Sequence, residues 1–330
     1  MKMETKSVHI KALLAICLGL PITILSGQTE KLIVPSDLKQ QTVVTEPVTL
    51  RKGFLRAGII INYRVADKYF DNDRNKQYYL NSQWGTKAAY NLTLQYGFTD
   101  RFEADLVTDY MRNKVSTTSV EIVPGTNSSV TSVTKQLGTG LGDTHLGAKY
   151  QIVPEKQYRI SLTGLIDVSL PTGEKNPTNI RSATKYDLPV GNGAGAVAGE
   201  IFARTTVYPY SFSTYIKYYY NFEGSKKLAA TDLAETRFKF GNRIEAGLSA
   251  YIHLNEWIVF ANDFSFYHEA EGWAGRINSI TIPESWAAVY APDLVFQVRR
   301  VRVGESISIP LIGRNVPADP LFIISLQYVF

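Results

Sequence analysis

The chain has 330 residues, of which 45% are hydrophobic and 20% are charged, and its formal net charge is +5. Each membrane-spanning helix needs about 20 consecutive apolar residues, and no such run follows the first thirty residues, so a helical membrane protein is excluded. The modest positive charge gives no reason to predict nucleic-acid binding.

Residues 1–27 have the pattern of a cleaved export signal. Three lysines lie within the first eleven residues, an apolar run covers 12–25, and the small residues Ser26 and Gly27 permit cleavage. The only cysteine, Cys17, lies inside this run directly after an isoleucine, whereas lipid attachment would require a small residue there. We therefore predict a signal peptide that is removed on export, with a lipoprotein as the weaker alternative.

The segment 28–52 contains two prolines and mixed polar residues, and it does not alternate throughout. It lies directly before the first predicted strand. Two interpretations remain open: a periplasmic tether, which we prefer, or a plug folded into the barrel. Deletion of the segment should raise conductance only if it plugs a pore.

The remainder of the chain, 53–330, alternates between apolar and polar residues. Within 84–96, for example, Tyr90 and Leu92 flank the polar Asn91. Successive side chains of a strand point to opposite faces, so each such segment has one apolar and one polar face. The pattern predicts about twelve strands, near 54–65, 84–96, 102–110, 142–153, 158–170, 196–207, 214–223, 238–252, 257–267, 288–298, 301–311 and 321–330.

The predicted connections alternate between long and short. The long ones are 66–83, 111–141, 171–195, 224–237, 268–287 and 312–320, and the short ones are 97–101, 154–157, 208–213, 253–256 and 299–300. Short periplasmic turns opposite longer extracellular loops, with an even number of strands, are typical of outer-membrane barrels. We predict an all-β, antiparallel, up-and-down transmembrane β-barrel over 53–330, located in the outer membrane of a Gram-negative cell.

The last predicted strand carries a specific feature at its end. Leu326, Tyr328 and Phe330 follow one another at two-residue steps. This arrangement resembles the recognition signal that the barrel-assembly machinery reads. The predicted partners are therefore outer-membrane lipids, that machinery and a small-molecule solute.

The charged residues of the strands fall on the face opposite to the apolar one. Turning the third strand over would expose Glu103, Asp105 and Asp109 to lipid, where charges cost up to a few kcal/mol each. We therefore predict a restricted pore of weak charge selectivity, lined by Arg56, Arg64, Lys87, Glu103, Asp105, Asp109, Asp143, His145, Lys149, Arg159, Asp167, Glu200, Arg204, Lys217, Arg243, Glu245 and Asp263.

Four positions fit the barrel pattern badly. Asn242 and Asn262 fall on the predicted outer face, and Glu305 interrupts an apolar row of the eleventh strand. Pro292 interrupts the tenth strand, which is consistent with a bulge.

Several motifs resemble the outer-membrane transporters of the family named for the meta-pathway of phenol degradation. They are Thr-Asp-Arg-Phe at 99–102, Gly-Leu-Gly-Asp at 140–143, Leu-Gly-Ala-Lys-Tyr at 146–150, Val-Ser-Leu-Pro-Thr-Gly at 168–173, and the closing run at 309–319. The resemblance covers roughly 84–330 and implies an outer-membrane channel that can admit aromatic compounds. Because the motifs are turns and strand ends, the resemblance identifies no residue that binds an aromatic ring.

The sequence signals for phosphate binding, catalysis and metal binding are weaker than the signal for a barrel. Glycines at 138, 140 and 142 mimic a phosphate-binding loop, but a strand and not a helix follows them. His145 could serve a barrel enzyme, yet no serine spacing resembles a lipase, and His268 with Glu269 lacks a distinctive metal-ligand spacing. We predict no enzyme and no cofactor. The preferred function is passive uptake of small solutes, and the alternative is a structural or adhesion barrel that acts through its extracellular loops.

Overall fold

A computed structural model of the protein describes residues 49–79, 84–122, 129–154, 160–182, 185–275 and 280–330. The predicted signal peptide, residues 28–48 and the predicted pore residue Arg159 lie outside the described residues. Within the described ranges, no helix combines the length and the hydropathy that crossing a membrane requires.

Twelve antiparallel strands form a closed barrel, which confirms the predicted fold class and strand count. The strands are β1 (Leu55–Ala66), β2 (Trp84–Thr99), β3 (Phe102–Ile122), β4 (Ser129–Val153), β5 (Ile160–Leu170), β6 (Ala196–Val207), β7 (Tyr210–Asn221), β8 (Arg243–His253), β9 (Ile258–Glu269), β10 (Ser285–Val298), β11 (Val301–Arg314) and β12 (Leu321–Val329). Each strand pairs with its sequence neighbours, and β1 also pairs with β12.

Closure is made by the two ends of the chain. Nine consecutive residue pairs join β1 to β12, and the N–H of Phe330 donates to the carbonyl of Leu55 at 2.8 Å. Every strand of the barrel therefore has two neighbours, and the barrel wall has no open edge that would expose unpaired backbone groups to lipid.

The two faces of the wall differ in polarity. Ile59 pairs with Leu92 and Leu326, whose side chains are 48% and 49% exposed. One residue along β1, the partners are Thr93 and Gln327, which are buried. The outer face is thus apolar and exposed, whereas the inner face is polar. An exterior of this kind is stable when lipid surrounds it, so the barrel spans a membrane.

Short turns lie at one end of the barrel, together with the C-terminus, and long loops lie at the other, as predicted. The long loops contain short strands of their own. They form a four-stranded sheet (Gly224–Lys226, Thr236–Lys239, Gly272–Ala274, Ile280–Ile282), a three-stranded sheet (Val316–Pro317, Lys68–Phe70, Lys76–Tyr78) and a two-stranded sheet (Thr178–Ser182, Lys185–Asp187).

The largest difference from the sequence prediction concerns 111–141, which was expected to be a loop. Instead β3 continues to Ile122 and β4 begins at Ser129, so most of this segment is a paired extension of the two strands. Apolar and polar residues go on alternating there, and threonine and valine, which favour strands, are frequent. The extension was missed because its outer face carries charges.

The eighth strand was also predicted too long, from 238. Thr236–Lys239 is a separate strand that pairs with Gly224–Lys226 and Gly272–Ala274 in the loop sheet. Asn242 therefore lies between two strands and not on the barrel wall, where its side-chain oxygen accepts the N–H of Asn221 at 3.2 Å. The misfit at this position disappears.

The remaining misfits are real features of the outer wall. Asn262 faces outward and accepts a hydrogen bond of 2.7 Å from the hydroxyl of Tyr290 on the neighbouring strand. Glu305 also faces outward, in one row with Leu294 and Ile324. The irregularity in the pairing of β10 with β11 lies at Ala288 and not at Pro292.

Candidate functional site: the barrel lumen

The strand register places most of the predicted pore residues on the inner face. These are Arg56, Arg64, Lys87, Glu103, Asp105, Asp109, His145, Lys149, Asp167, Glu200, Arg204, Lys217, Arg243, Glu245 and Asp263. Asp143 lies at a register shift in β4, where its carboxylate contacts the loop 171–195.

At the short-turn end, a buried ion pair meets the chain that leads into β1. The ammonium of Lys149 lies 3.1 Å from the carboxylate of Glu103, and both side chains are almost fully buried. The second oxygen of Glu103 accepts the backbone N–H of Leu50 at 2.5 Å, and Thr49 and Leu50 are themselves buried. Residues 49 and 50 therefore lie against the inside of the barrel and narrow this end of the lumen.

Further along, ion pairs line the wall formed by β6, β7 and β8. The ammonium of Lys217 lies 3.5 Å from Glu200, and the guanidinium of Arg243 lies 2.5 Å from Glu245. The hydroxyl of Tyr215 donates to the other oxygen of Glu245 at 2.7 Å. Each cation of this cluster thus has an acidic partner, so the local charge is balanced.

Aromatic rings cover the same cations. The guanidinium of Arg243 lies 4.2 Å from the ring centroid of Tyr267 and 5.5 Å from that of Tyr219. The ammonium of Lys217 lies 4.7 Å from the ring of Tyr219. These distances are those of cation–π contacts, and together they make a wall of tyrosine rings and basic groups. We call Tyr219, Tyr267, Lys217 and Arg243 the tyrosine wall.

Sequence reasoning missed the inward tyrosines. A signal was available, because Tyr215 and Tyr219 stand two residues on either side of Lys217 and must therefore share its face. Tyr267 on β9 lies two residues from Ser265 and two residues from Glu269, so it shares their polar, inward face. The prediction of pore residues considered charged side chains and one histidine, and it therefore left the tyrosines out.

The facing side of the lumen, on β1 to β5, carries amides and acids. The side-chain amide of Asn62 donates to Asn91, which in turn donates to Asp109. The imidazole of His145 lies 3.6 Å from Asp167. This wall is rich in hydrogen-bonding groups and poor in rings.

The two sides face each other across one lumen. Arg64 on β1 and Tyr267 on β9 point into it from strands that are four places apart around the barrel. Asp105 on β3 and Lys217 on β7 also point into it.

A long loop closes over the other end of the lumen. The carboxylate of Asp143 accepts the backbone N–H groups of Gly173 at 3.1 Å and Asn192 at 2.9 Å. Inside the barrel, Val190 of the same loop packs against Met111 and Ala89. Asp143 is thus an anchor for the loop 171–195 and is almost fully buried.

Glycines make this close approach possible. A Cβ atom on Gly138 would lie 2.1 Å from the carbonyl oxygen of Leu188, and one on Gly173 would lie 2.9 Å from the backbone of Gly142. Gly138, one of the three glycines that mimicked a phosphate-binding loop, therefore allows β4 and this loop to approach each other closely.

The described residues contain one notable serine–histidine contact. Ser211 Oγ lies 3.0 Å from His253 Nε2, and its hydroxyl donates onward to Thr206 at 3.2 Å. His268, considered above as a metal ligand, lies 3.7 Å from Glu284. In the described ranges no three His, Cys, Asp or Glu side chains are grouped to hold a metal.

Comparison with known proteins agrees with this architecture. Residues 125–279 match the family described as "Putative MetA-pathway of phenol degradation", so the predicted family resemblance is confirmed over this part of the chain. A search among curated proteins found no match.

Solved structures include outer-membrane channels of similar fold. An outer-membrane channel from Pseudomonas putida F1 superposes with a TM-score of 0.65 at 13% identity, over 86% of this chain and 97% of that one. The monoaromatic hydrocarbon channel CymD has a TM-score of 0.41 at 8% identity, over 85% and 88%. The toluene transporter TbuX from Ralstonia pickettii has a TM-score of 0.37 at 9% identity, over 85% and 90%. The first of these shows that the chain has the fold of an outer-membrane channel.

Proposed function

We propose that the barrel is a passive channel of the outer membrane for small solutes, with a preference for compounds that carry an aromatic ring and an acidic group. The observation that carries this proposal is the tyrosine wall. Rings of Tyr219 and Tyr267 offer faces on which an aromatic solute can stack. Lys217 and Arg243 lie beside those rings and can attract a carboxylate or phenolate.

The strength of these contacts suits transport. Exposed cation–π and stacking contacts contribute about 0.5–1.5 kcal/mol each, which is enough to enrich a solute and too little to trap it. Conduction requires binding sites that a solute can leave again. Because Lys217 and Arg243 already have acidic partners, we expect a bias for ring-bearing solutes and only weak selection by charge alone.

The family description supports the same class of solute. It names phenol degradation, and the matched residues 125–279 include β7 to β9, which supply all four residues of the tyrosine wall. The described residues at the two ends of the lumen, Thr49 and Leu50 at one and Val190 at the other, favour a restricted pore over a wide one.

Liposome uptake tests the proposal. The mature chain would be refolded into liposomes, and swelling rates would be measured for sugars, amino acids and aromatic acids of graded size. We expect size-limited uptake in which benzoate-sized aromatic acids exceed aliphatic acids of equal volume. The variant Y219L/Y267L should lose this preference, whereas Tyr218→Leu, on the lipid-facing side of the same strand, should keep it.

Two results would contradict the proposal. Equal uptake of aromatic and aliphatic acids would remove the role of the tyrosine wall. Absence of all uptake from a barrel shown to be folded would favour the alternative function, a structural or adhesion barrel acting through its loops. The paired extension of β3 and β4 is the element that such a function would use.

A further inference from the structure

Two cations lie directly opposite each other on the inner face of the barrel wall. Arg64 on β1 pairs in the strand register with Lys87 on β2. Arg64 lies two residues before the end of β1, and Lys87 lies three residues after the start of β2, so both are at the long-loop end of the lumen. We call these two residues the cation doublet.

Such a pairing is unfavourable unless a negative charge compensates it. Residues directly opposite each other in an antiparallel pair have Cβ atoms about 4.5–5.5 Å apart, and like charges at this separation destabilise the pair. Three other cations of the lumen are compensated by the protein itself. Lys149, Lys217 and Arg243 contact a carboxylate at 3.1, 3.5 and 2.5 Å.

Among the described residues, no carboxylate forms an ion pair with the cation doublet. The Nε atom of Arg64 is buried and donates no hydrogen bond there. The carboxylates of Asp109 and Asp319 attract the doublet from a distance, but each has other partners. Asp109 accepts a hydrogen bond from the side-chain amide of Asn91, and Asp319 accepts two backbone N–H groups at 2.9 and 2.8 Å.

The cation doublet borders the loop that narrows the lumen. Lys87 pairs with Asn113 on β3, and the side-chain amide of Asn113 donates to the carbonyl of Pro189 at 3.4 Å. The loop 171–195 thus covers this row of the wall from β3 onward. The side chain of Lys87 is exposed although it points inward, and Arg64 is half-buried. The doublet is therefore open to water beside the edge of the loop, where a solute entering from outside would pass.

We propose that the cation doublet binds the carboxylate of an acidic solute at the entrance to the lumen. This inference rests on the proposed function and names the part of the lumen that recognises the charge of the solute. The guanidinium of Arg64 can donate two parallel hydrogen bonds to a carboxylate, and the ammonium of Lys87 can donate a third. A bound carboxylate supplies the negative charge that the doublet lacks, and the tyrosine wall, on β7 to β9 across the lumen, is left for the ring.

Equilibrium binding tests this inference without requiring transport. The refolded mature barrel in detergent would be titrated with benzoate, with acetate and with the uncharged acetamide, and dissociation constants would be measured by ligand-observed NMR. We expect the wild type to bind acetate more tightly than acetamide. The variant R64Q/K87Q should bind acetate and benzoate about tenfold more weakly, which is the loss expected when charge-assisted hydrogen bonds to a carboxylate are removed, and its binding of acetamide should not change. The matched variant R181Q/K185Q removes two exposed loop cations and should bind as the wild type does.

Wild-type affinity of R64Q/K87Q for acetate and benzoate would overturn the inference, as would equal binding of acetate and acetamide by the wild type. The proposed function can fail separately. If benzoate binds no better than acetate, yet both depend on the cation doublet, the aromatic preference is contradicted and the doublet is supported. Folding would be checked by heat-modifiable migration. If R64Q/K87Q does not fold, single variants at the exposed Lys87 decide: Lys87→Arg should keep the affinity for acetate and Lys87→Gln should lower it several-fold, and equal affinities of these two variants would overturn the inference.

Discussion

The backbone N–H of Gly173 donates to the carboxylate of Asp143 across 3.1 Å, and this contact ties a long loop to the barrel wall. The same carboxylate accepts the N–H of Asn192 from the far side of the loop. Thr172 adds a hydrogen bond of 3.2 Å to the carbonyl of Gly142. Two motifs that carried the family resemblance, at 140–143 and 168–173, therefore meet in space and hold the loop over the lumen.

We expect Asp143→Ala to release the loop 171–195, because two partly buried backbone N–H groups lose their carboxylate acceptor, and a hydrogen bond to a charged group contributes about 1.5–3 kcal/mol. Limited proteolysis of the reconstituted barrel should cut this loop faster than in the wild type. Asp187→Ala is the control, since Asp187 bonds only to Asn179 within the exposed part of the loop in the contacts described. Equal cleavage rates for Asp143→Ala and the wild type would show that Asp143 is no anchor.

We expect K217Q/R243Q to make the pore more selective for cations. Both substitutions remove a positive charge and leave Glu200 and Glu245 without their cationic partners, although Glu245 keeps the hydrogen bond from Tyr215. Rings of net charge bias the ions that pass a pore. Reversal potentials under a salt gradient in planar bilayers should shift toward cation selectivity by several fold in permeability ratio, and E200Q/E245Q should shift them in the opposite direction. Unchanged potentials for both variants would mean that ions do not pass this cluster.

We expect Glu305→Leu to stabilise the barrel. Glu305 faces lipid in a row with Leu294 and Ile324, and an acid on this face costs somewhat less than the 2–4 kcal/mol of a midplane lysine. The gain should be on the order of 1 kcal/mol in denaturant unfolding from lipid vesicles. The complementary variant Ile307→Glu, two residues further along the same face, should destabilise. A loss of stability in Glu305→Leu would indicate that this carboxylate has a favourable partner.

We expect the contact between two long loops to weaken in acid. Hydrogen bonds from Lys175, Ser225 and Asn176 hold the pKa of Glu235 down at about 2. An acid with a lowered pKa stabilises the folded form above its ordinary value of 4.5, and this stabilisation is lost as the pH falls through about 2. Hydrogen exchange of residues 224–226 should therefore accelerate between pH 4.5 and 2, after correction for intrinsic rates.

The variant Glu235→Gln provides the comparison for this pH dependence. It cannot titrate and loses the ion pair with Lys175, which measures 2.7 Å in the wild type. Exchange in the variant should be faster at neutral pH and should show no further acceleration in acid. A wild type whose corrected exchange is flat down to pH 2 would contradict the role of Glu235.

We expect deletion of residues 28–52 to raise single-channel conductance, because Thr49 and Leu50 lie inside the short-turn end beside Glu103. The shorter deletion of 28–46 keeps both residues and separates their contribution from that of the preceding segment. Conductance that is unchanged by both deletions would identify the segment as a tether and not a constriction.

The charged residues of the lumen show how far a sequence pattern reaches. Their inward direction follows from the period of two, and Glu103, Asp105 and Asp109 could be assigned to one face without coordinates. Their partners could not be assigned in the same way. Glu103 meets Lys149 and Leu50, and neither contact follows from the spacing along the chain.

The outer wall shows the same limit. Asn262 looked like a misfit in one strand, and only the pairing of β9 with β10 brings the hydroxyl of Tyr290 to it. The length of β3 was underestimated because the charged residues Arg112, Lys114 and Lys135 resembled those of a solvated loop. Strand pairing and the surrounding solvent, which a single strand does not encode, decide both cases.

The amino-acid sequence by itself determined that the chain forms a closed barrel of twelve strands with an apolar exterior and long loops at one end. It could do so because alternation and turn length are local properties, repeated in every strand. Only the tertiary structure decided which side chains meet: Tyr219 and Tyr267 around Arg243, and Asp143 with Gly173. Those contacts join strands and loops that are distant in the chain, and they depend on register and barrel closure, which set the distances across the lumen.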